Sequence, residues 1–247
     1  MFGYLVRIAR AYTRLSSPFA FLARRFIRQS ARVVGAPRIR CIDIGAGTAP
    51  YFDAVVAAFG VEQYIAIDIA PSDRTSIVAD ACALPVRSGS VDLIVSFDVI
   101  QHIAETERVV GEMARVLAPG GCAVITFPFL YAECDFKDYH RWTMDGMCHL
   151  LNRHGLEPVK QQRRGGPLFA SACALNWAVQ HLVPGQRQSW RQARNWTAVI
   201  RVATLALLTI PTTIAGWVAL GLDGLLGDRG AYMGGAVLAR RGPGARA

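Results

Sequence analysis

The chain has 247 residues, of which 52% are hydrophobic and 18% are charged, so it can bury a sizeable core and is not globally disordered. Its formal net charge is +9, and a central region rich in acids lies between two basic ends. This asymmetry favours an anionic partner at the ends, either nucleic acid or an anionic membrane surface. The six cysteines form no C-x-x-C pair, which predicts reduced structural thiols and no metal site.

Residues 1–37 are predicted to form a basic amphipathic helical segment. Arginines alternate there with apolar residues such as Phe2, Leu5 and Ile8, which share one face at helical spacing. No uninterrupted apolar core follows the first charges, so a secretory signal peptide is not expected. The segment either lies on a membrane surface or packs on the domain as an ordinary capping helix.

Strands and helices alternate from residue 38 to residue 165. Near-continuous apolar strands separated by helices are typical of a doubly wound, mostly parallel α/β sheet. With a last strand near the C-terminus, we expect a Rossmann-like sheet of seven strands. The predicted strands are residues 38–45, 63–69, 76–81, 91–98, 122–129, 156–162 and 231–241, and the predicted helices are 51–60, 105–121 and 144–154. Gly60 is expected to end the first of these helices and Thr143 to cap the last.

Residues 166–230 are predicted to be an apolar helical insertion, followed by the last strand and a basic tail over 231–247. The run from Val202 to Leu222 contains no charged residue and is long enough to cross a bilayer. A single crossing would put the last strand on the opposite side of the membrane from its sheet. Three alternatives stay open: membrane contact through a shallow hairpin bent at Pro211 or a monotopic insertion, burial in the protein or a dimer interface, and a true span. We expect a cytoplasmic protein that contacts the membrane peripherally through residues 1–37 and 190–226.

The stretch "CIDIGAGTAPYF" places a glycine-rich turn between a strand and a helix. Asp43 ends the strand, and Gly45-Ala46-Gly47 follows with a backbone that a ligand can approach closely. The dinucleotide fingerprint requires a third glycine where this chain has Pro50. The turn therefore argues against a hydride-transfer enzyme.

Two more carboxylates follow the next two strands. Asp68 ends the second strand, where an acid can accept the hydroxyl groups of a ribose, and Asp80 follows the third, where an acid can accept an adenine amino group. With Asp43, these acids lie at the carboxyl ends of successive strands, which is where open α/β sheets bind ligands. The pattern predicts a nucleoside site.

The motifs "IDIGAGTAPY", "AIDIAPS", "VADACALPVRSGSVDLIVSFDVIQHI" and "MARVLAPGGCAVITFPF" resemble those of class I S-adenosylmethionine-dependent methyltransferases, and more narrowly the type 11 methyltransferase domain. The resemblance covers residues 38–165 and implies S-adenosyl-L-methionine as the cofactor. Where relatives commonly have Glu-His, this chain has Gln101-His102. The resemblance assigns Asp43, Gly45, Ala46 and Gly47 to the methionine part, Asp68 and Ile69 to the ribose, Asp80 and Ala81 to the adenine, and Phe97 and Asp98 to the surroundings of the sulfonium.

The acceptor side is predicted to include the stretch "YAECDFKDYHRWT", which follows the fifth strand. A hydroxyl acceptor benefits from a base, for which His102 and His140 are the candidates beside Asp98. The run from Asp138 through Tyr139 to Arg141 resembles a feature of methyltransferases found among enzymes of glycan synthesis. Those residues either contact the acceptor or lock the loop onto the next helix.

We therefore expect a methyltransferase whose acceptor is a small molecule, with a hydroxyl of a glycan or lipid-linked molecule near a membrane as the leading candidate. Methylation of carbon or oxygen in a quinone or another lipid is the first alternative, and a non-catalytic S-adenosylmethionine-binding protein held at a membrane is the second. Nucleic acid is not an expected partner. Base methylases usually carry a polar-Pro-Pro-aromatic loop after the fourth strand, and "FDVIQH" is not one.

Overall fold

A computed structural model describes residues 18–35, 39–133, 137–181, 196–226 and 231–242. Strands and helices alternate through the central part of the chain, and two long helices precede the last strand. In chain order the elements are α1 (Pro18–Val34), β1 (Ile39–Ile44), α2 (Phe52–Phe59), β2 (Val61–Asp68), β3 (Ile77–Val78), β4 (Val91–Phe97), a 3-10 turn (Ile100–His102), α3 (Thr106–Val116), β5 (Leu117–Pro128), α4 (Met144–Arg153), β6 (Leu156–Arg164), α5 (Pro167–His181), α6 (Trp196–Leu226) and β7 (Gly234–Arg241).

The strands form one sheet of seven in the order β3-β2-β1-β4-β5-β7-β6. All pairs from β3 to β5 are parallel, whereas β7 runs antiparallel to both β5 and β6. The expected doubly wound, mostly parallel sheet is confirmed, with the apolar helical insertion before its last strand. Because β1 to β5 are parallel, their carboxyl ends meet at one edge of the sheet.

Alternate residues of each central strand enter different cores on the two faces of the sheet. Ile42 and Ile94 pack in the core that α3 and α4 cover, and Cys41 and Leu93 pack in the core that α1 and α2 cover. Burial on both faces explains why these strands are apolar throughout rather than alternating.

The second half of helix α1 packs against the sheet. Phe26 and Ile27 are fully buried in the core that also contains Val55 and Phe59 of α2. For residues 22–34, the alternative of a capping helix is thus the one observed. The predicted apolar stripe of residues 2–15 lies outside the described residues.

Two helix boundaries lie where their capping residues predict them, and the end of α3 differs from the prediction. Gly60 ends α2 in a left-handed conformation, and the Thr143 side chain accepts a hydrogen bond from the Gly146 N–H at the start of α4, as predicted. The helix expected over 105–121 instead ends at Val116, and β5 begins at Leu117. Leu117 is fully buried and pairs with Val91, so tertiary pairing ends the helix before the Pro-Gly-Gly signal.

The described cysteines are free thiols. Cys41 and Cys122 are buried, and Cys82, Cys148 and Cys173 are half-buried. Cys134 lies outside the described residues. Within those ranges, no group of three or more His, Cys, Asp or Glu side chains is placed to hold a metal ion.

The described chain divides into two compact units. One unit contains Leu22–Arg164 and β7, which begins at Gly234, and is called the sheet unit here. The other contains the residues up to Phe21 and Gly165–Met233 and is called the helical unit.

In the helical unit, α5 and α6 pack on each other. The Asp223 carboxylate of α6 accepts hydrogen bonds from the backbone N–H groups of Gly166, Leu168 and Phe169 at distances of 2.9–3.1 Å. Helix α6 runs unbroken through Pro211, so the hairpin considered for this segment is not formed. Among the described helices, none is both long and apolar enough to span a membrane.

Candidate functional site

A cleft of about 220 Å³ opens at the carboxyl end of β1. It brings together five of the residues predicted for cofactor binding, and it adds three that the sequence did not single out. The predicted residues in its lining are Asp43, Gly45, Ala46, Gly47 and Phe97, and the additional ones are Thr48, Pro50 and Tyr51.

The glycine turn forms the floor of this cleft. The backbone N–H groups of Gly45 and Ala46 both donate to the carbonyl oxygen of Ile67, at 2.8 and 3.1 Å. Gly45 has a φ of +71°, and a Cβ there would lie 2.3 Å from a methyl carbon of Val99. Glycine is thus required by both conformation and space. At Gly47, by contrast, a Cβ would meet no atom within 4 Å, so the backbone there faces open space.

Asp43 is a buried carboxylate on the wall of the cleft. It is 3% exposed and accepts a hydrogen bond from the Tyr64 hydroxyl of β2. The pKa of Asp43 is raised to about 7, chiefly by burial; the Tyr64 hydrogen bond acts to lower it, and the negative charge of Asp68 acts to raise it. A cationic group bound in the cleft would favour the ionised form of Asp43 and so lower that pKa.

Asp68 and Asp80 lie at the ends predicted for them but outside the lining of the cleft. One Asp68 oxygen accepts from the Gly47 N–H at 2.8 Å, and the other accepts from the Ala70 N–H at 2.9 Å. Asp68 therefore ties the glycine turn to β2. Asp80 is exposed, and it accepts from the Cys82 N–H at 2.8 Å in a local turn. Ile69, next to Asp68, is exposed, and Ala81, next to Asp80, is half-buried.

Phe97 and Asp98 end β4 beside the cleft. The ring of Phe97 packs on Tyr51 with centroids 4.6 Å apart. Asp98 has a positive φ of 55°, and its carboxylate accepts from the guanidinium of Arg164 at the end of β6. Arg164 is fully buried and also donates to the Phe127 carbonyl oxygen at 3.1 Å. A buried arginine thus fixes the orientation of the carboxylate predicted to border the sulfonium.

His102 lies on the 3-10 turn after β4. Its Nδ1 is 2.5 Å from the carbonyl oxygen of Lys137, and its Nε2 is 3.1 Å from Nε2 of Gln101. The Gln101 side chain is almost completely buried and also donates to the Asp98 carbonyl oxygen at 2.6 Å. Both ring nitrogens of His102 are therefore engaged inside the protein.

The predicted acceptor segment lies along the same turn. His140 Nε2 is 3.1 Å from the Ala104 carbonyl oxygen, and the ring packs near Trp142 with centroids 5.4 Å apart. Arg141 forms an ion pair with Asp138, whose side chain is 1% exposed. Tyr139 is the exposed residue of the group. Asp138 and Arg141 are thus paired with each other within the segment, and the roles predicted for them stay predictions.

Besides Thr48 and Pro50, four residues of the site region were not assigned to the site from the sequence. Tyr64 contacts Asp43, Tyr51 lines the cleft, and the Ser72 hydroxyl donates to the Gly47 carbonyl oxygen at 2.6 Å. Arg164 is the fourth. Tyr51 follows the glycine turn directly and was the easiest to identify, whereas Arg164 looks like any basic residue at the end of an exposed strand.

Comparison with known families places a methyltransferase domain at residues 42–125. A malonyl-[acyl-carrier protein] O-methyltransferase of Methylococcus capsulatus is 39% identical over 103 residues, which are 36% of this chain and 38% of that protein. An uncharacterized methyltransferase of Mycolicibacterium vanbaalenii is 34% identical over 156 residues, covering 56% of this chain and 59% of the relative. The chain thus covers less than two thirds of either relative.

The fold is also that of solved methyltransferases. The crystal structure of a "putative sarcosine dimethylglycine methyltransferase" from Galdieria sulphuraria superposes with a TM-score of 0.58 at 19% identity. The superposition covers 89% of this chain and 84% of that one. At this identity the likeness establishes the fold.

Proposed function

Because residues 42–125 belong to the methyltransferase domain family and the sheet has the class I methyltransferase fold, we propose that the chain is an S-adenosylmethionine-dependent methyltransferase. The observation that carries the proposal is the cleft at the end of β1, where Asp43, Gly45, Ala46, Gly47 and Phe97 meet. The resemblance of the sequence motifs to class I methyltransferases assigns these same residues to the cofactor.

The residues of the cleft fit the proposed cofactor. S-adenosylmethionine supplies an electrophilic methyl group on a positively charged sulfur. The open backbone at Gly47 allows a close approach, the buried Asp43 carboxylate provides a negative charge for the ammonium group, and the aromatic ring of Phe97 borders the site. The Asp68 carboxylate accepts the Gly47 N–H and so holds the turn, and its remaining lone pairs can accept hydrogen bonds from ribose hydroxyl groups.

The acceptor that we propose is a hydroxyl group of a glycan or a lipid-linked molecule. Methyl transfer is an in-line displacement: a bond forms from the acceptor oxygen to the methyl carbon as the bond from carbon to sulfur breaks. The hydroxyl proton then passes to a base, for which His140 and the Asp98 carboxylate lie on the segments beside the cleft. A carboxylate acceptor, as in the malonyl-[acyl-carrier protein] enzyme, would need no base.

Isothermal titration with S-adenosylmethionine tests the site. We expect Asp68→Ala to weaken binding by about 10- to 100-fold, because a charged hydrogen-bond acceptor is worth roughly 1.5–3 kcal/mol. Asp145→Ala removes an exposed acid of α4 and is the matched control, which should bind like the unchanged protein. Equal affinities for Asp68→Ala and the control would contradict the assigned site.

Cell fractions incubated with methyl-labelled S-adenosylmethionine identify the acceptor. Label in polysaccharide or a glycolipid is the expected result, and label in quinones would favour the alternative. Formation of S-adenosylhomocysteine separates both from a non-catalytic binding protein. No turnover with any fraction would contradict the enzymatic function.

We also propose that the helical unit contacts an anionic membrane surface. The exposed apolar face of α6 supports this contact: its members recur every three or four residues along one side of the helix. Between Gly165 and Met233 the sequence of the helical unit has five basic residues and two acids, and one of these acids, Asp223, is buried as the cap of α5. The face comprises Ile210, Ile214, Trp217, Val218, Leu222 and Leu225.

Flotation with lipid vesicles tests this contact. Ile214→Ser and Val218→Ser, both 58% exposed, should each weaken binding to vesicles containing phosphatidylglycerol by about tenfold, because a buried aliphatic side chain contributes roughly 1.5 kcal/mol. Val78→Ser is the control, since Val78 is 57% exposed on β3. A concentration-dependent dimer that the α6 variants abolish, without vesicle binding, would assign the face to a second copy instead.

A further inference from the structure

A chain of hydrogen bonds connects the turn after β4 to the segment at residues 137–140. It runs from the Asp98 carbonyl oxygen through the Gln101 amide nitrogen and the His102 ring to the Lys137 carbonyl oxygen, with distances of 2.6, 3.1 and 2.5 Å. The two ends of this chain are backbone carbonyl groups, which can only accept hydrogen bonds.

The two carbonyl groups determine where the protons lie. Since Lys137 O accepts, His102 Nδ1 must carry a hydrogen. A neutral imidazole then has a lone pair on Nε2, which accepts one hydrogen of the Gln101 amide while the other goes to Asp98 O. Exchanging the oxygen and nitrogen of the amide would place two oxygens 2.6 Å apart, so the orientation is also determined.

The chemistry explains why glutamine occupies position 101 in this chain. A glutamate has no N–H group, so it would face the Asp98 carbonyl oxygen with a carboxylate oxygen. It would also hold His102 in the doubly protonated form. Glutamine instead satisfies both neighbours with one nitrogen and keeps His102 neutral.

Two neighbouring contacts fasten the same segment. The Tyr139 N–H donates to the Gln101 carbonyl oxygen at 2.8 Å, and His140 Nε2 donates to the Ala104 carbonyl oxygen at 3.1 Å. By the same reasoning, a neutral His140 carries its hydrogen on Nε2 and has its lone pair on Nδ1. Three hydrogen bonds therefore join residues 137–140 to residues 101–104: Lys137 with His102, Tyr139 with Gln101, and His140 with Ala104.

We propose that Gln101 and His102 are positioning residues that hold the 137–140 segment on the β4 turn, and that His140 Nδ1 is the histidine nitrogen left to accept a proton. His102 is neutral, with its hydrogen on Nδ1, and is not a base. Only the identification of this segment as the acceptor side rests on the proposed function; the proton positions and the fastening do not.

Long-range ¹H–¹⁵N spectra of the full chain with labelled histidine test the proton positions without any substrate. The chain has five histidines, and the His102 and His140 signals are assigned by their loss in His102→Asn and His140→Gln. At neutral pH we expect the Nδ1–H tautomer for His102 and the Nε2–H tautomer for His140. A doubly protonated or Nε2–H His102 would overturn the proposal.

Trypsin cleavage after Lys137 tests the fastening. His102→Ala should increase the cleavage rate by about five- to tenfold, because it removes a hydrogen bond worth roughly 1 kcal/mol from a local opening equilibrium. The side-chain amide of His102→Asn can replace Nδ1–H as donor to Lys137 O, so cleavage should return to within about twofold of the unchanged chain. His149→Ala changes an exposed histidine of α4 and is the control. Equal rates in His102→Ala and His102→Asn would overturn the positioning role.

The labelled-methyl assay separates positioning from base catalysis. His102→Asn should retain activity within about threefold while His102→Ala loses about tenfold, a rescue that a catalytic base would not show. If His102→Asn is as inactive as His102→Ala while its cleavage rate is normal, His102 is a base and the proposal fails. If the unchanged chain transfers no methyl group, the proposed function fails, and the spectra and cleavage rates still decide the positioning role.

Discussion

The sheet unit and the helical unit use apolar residues in opposite ways. In the sheet unit the apolar strands are covered on both faces, and buried side chains such as Asp43 and Arg164 have hydrogen-bond partners. In the helical unit the one acid of α6 is buried while Val218 and Leu225 are exposed. Buried polar groups indicate a site for a small polar ligand, and exposed apolar groups indicate a surface for a partner.

The largest effect on stability should come from the buried ion pair of the sheet unit. Arg164→Leu removes a fully buried guanidinium and leaves both the Asp98 carboxylate, which is 27% exposed, and the buried Phe127 carbonyl oxygen without their donor, which should lower the free energy of unfolding by about 3–5 kcal/mol. Urea unfolding measures the loss. Arg40→Leu is the control, because the Arg40–Asp92 pair is half-exposed and should contribute far less. Equal losses of unfolding free energy in the two variants would mean that the burial of Arg164 adds nothing to the strength of its ion pair.

A smaller effect should depend on pH through Asp43. Its pKa is raised from 3.8 to about 7 in the folded chain, so between these values the folded state binds a proton that the unfolded state has released. This group therefore lowers the free energy of unfolding as pH rises through that window. The stability difference between the unchanged chain and Asp43→Asn should change by about 3 kcal/mol from pH 5 to pH 8, in favour of the variant at pH 8. A difference that is constant with pH would contradict the assigned burial.

The smallest effect should be local to the helical unit. Asp223→Ala removes the acceptor for three backbone N–H groups at the start of α5, which should cost about 1–2 kcal/mol. Hydrogen exchange in residues 166–181 should become about tenfold faster or more, whereas exchange in β1 and β4 should not change. Asp145→Ala, which removes an acid without a cap bond to α4, is the control. Faster exchange throughout the sheet would show that the two units do not open independently.

Local patterns predicted most of the fold, because the central strands of the sheet unit are apolar and two helix boundaries carry a chemical signal. Gly60 and Thr143 act where the sequence placed them. The end of α3 was predicted wrongly, since the buried pairing of Leu117 with Val91 prevails over the later Pro-Gly-Gly. The hairpin considered at Pro211 is also not formed, since α6 is continuous through that residue.

The candidate site was predicted only as far as motifs extend along the chain. The glycine turn and Asp43 are next to each other in sequence, so they could be placed together. Tyr64 and Arg164 meet their carboxylates across 21 and 66 residues, and no local pattern marks them. The roles assigned to Asp68, Asp80 and the acceptor-side residues stay predictions that the binding and labelling experiments test.

The sequence alone determined the order of strands and helices, the family resemblance and the carboxylates at the strand ends, because periodicity and turn chemistry act over a few residues. Tertiary structure alone decided which groups meet: Arg164 with Asp98, His102 with the Lys137 carbonyl oxygen, and Asp223 with the start of α5. Such contacts depend on the register and crossing of elements far apart in the chain. The same side chains could otherwise be solvated residues on separate surfaces.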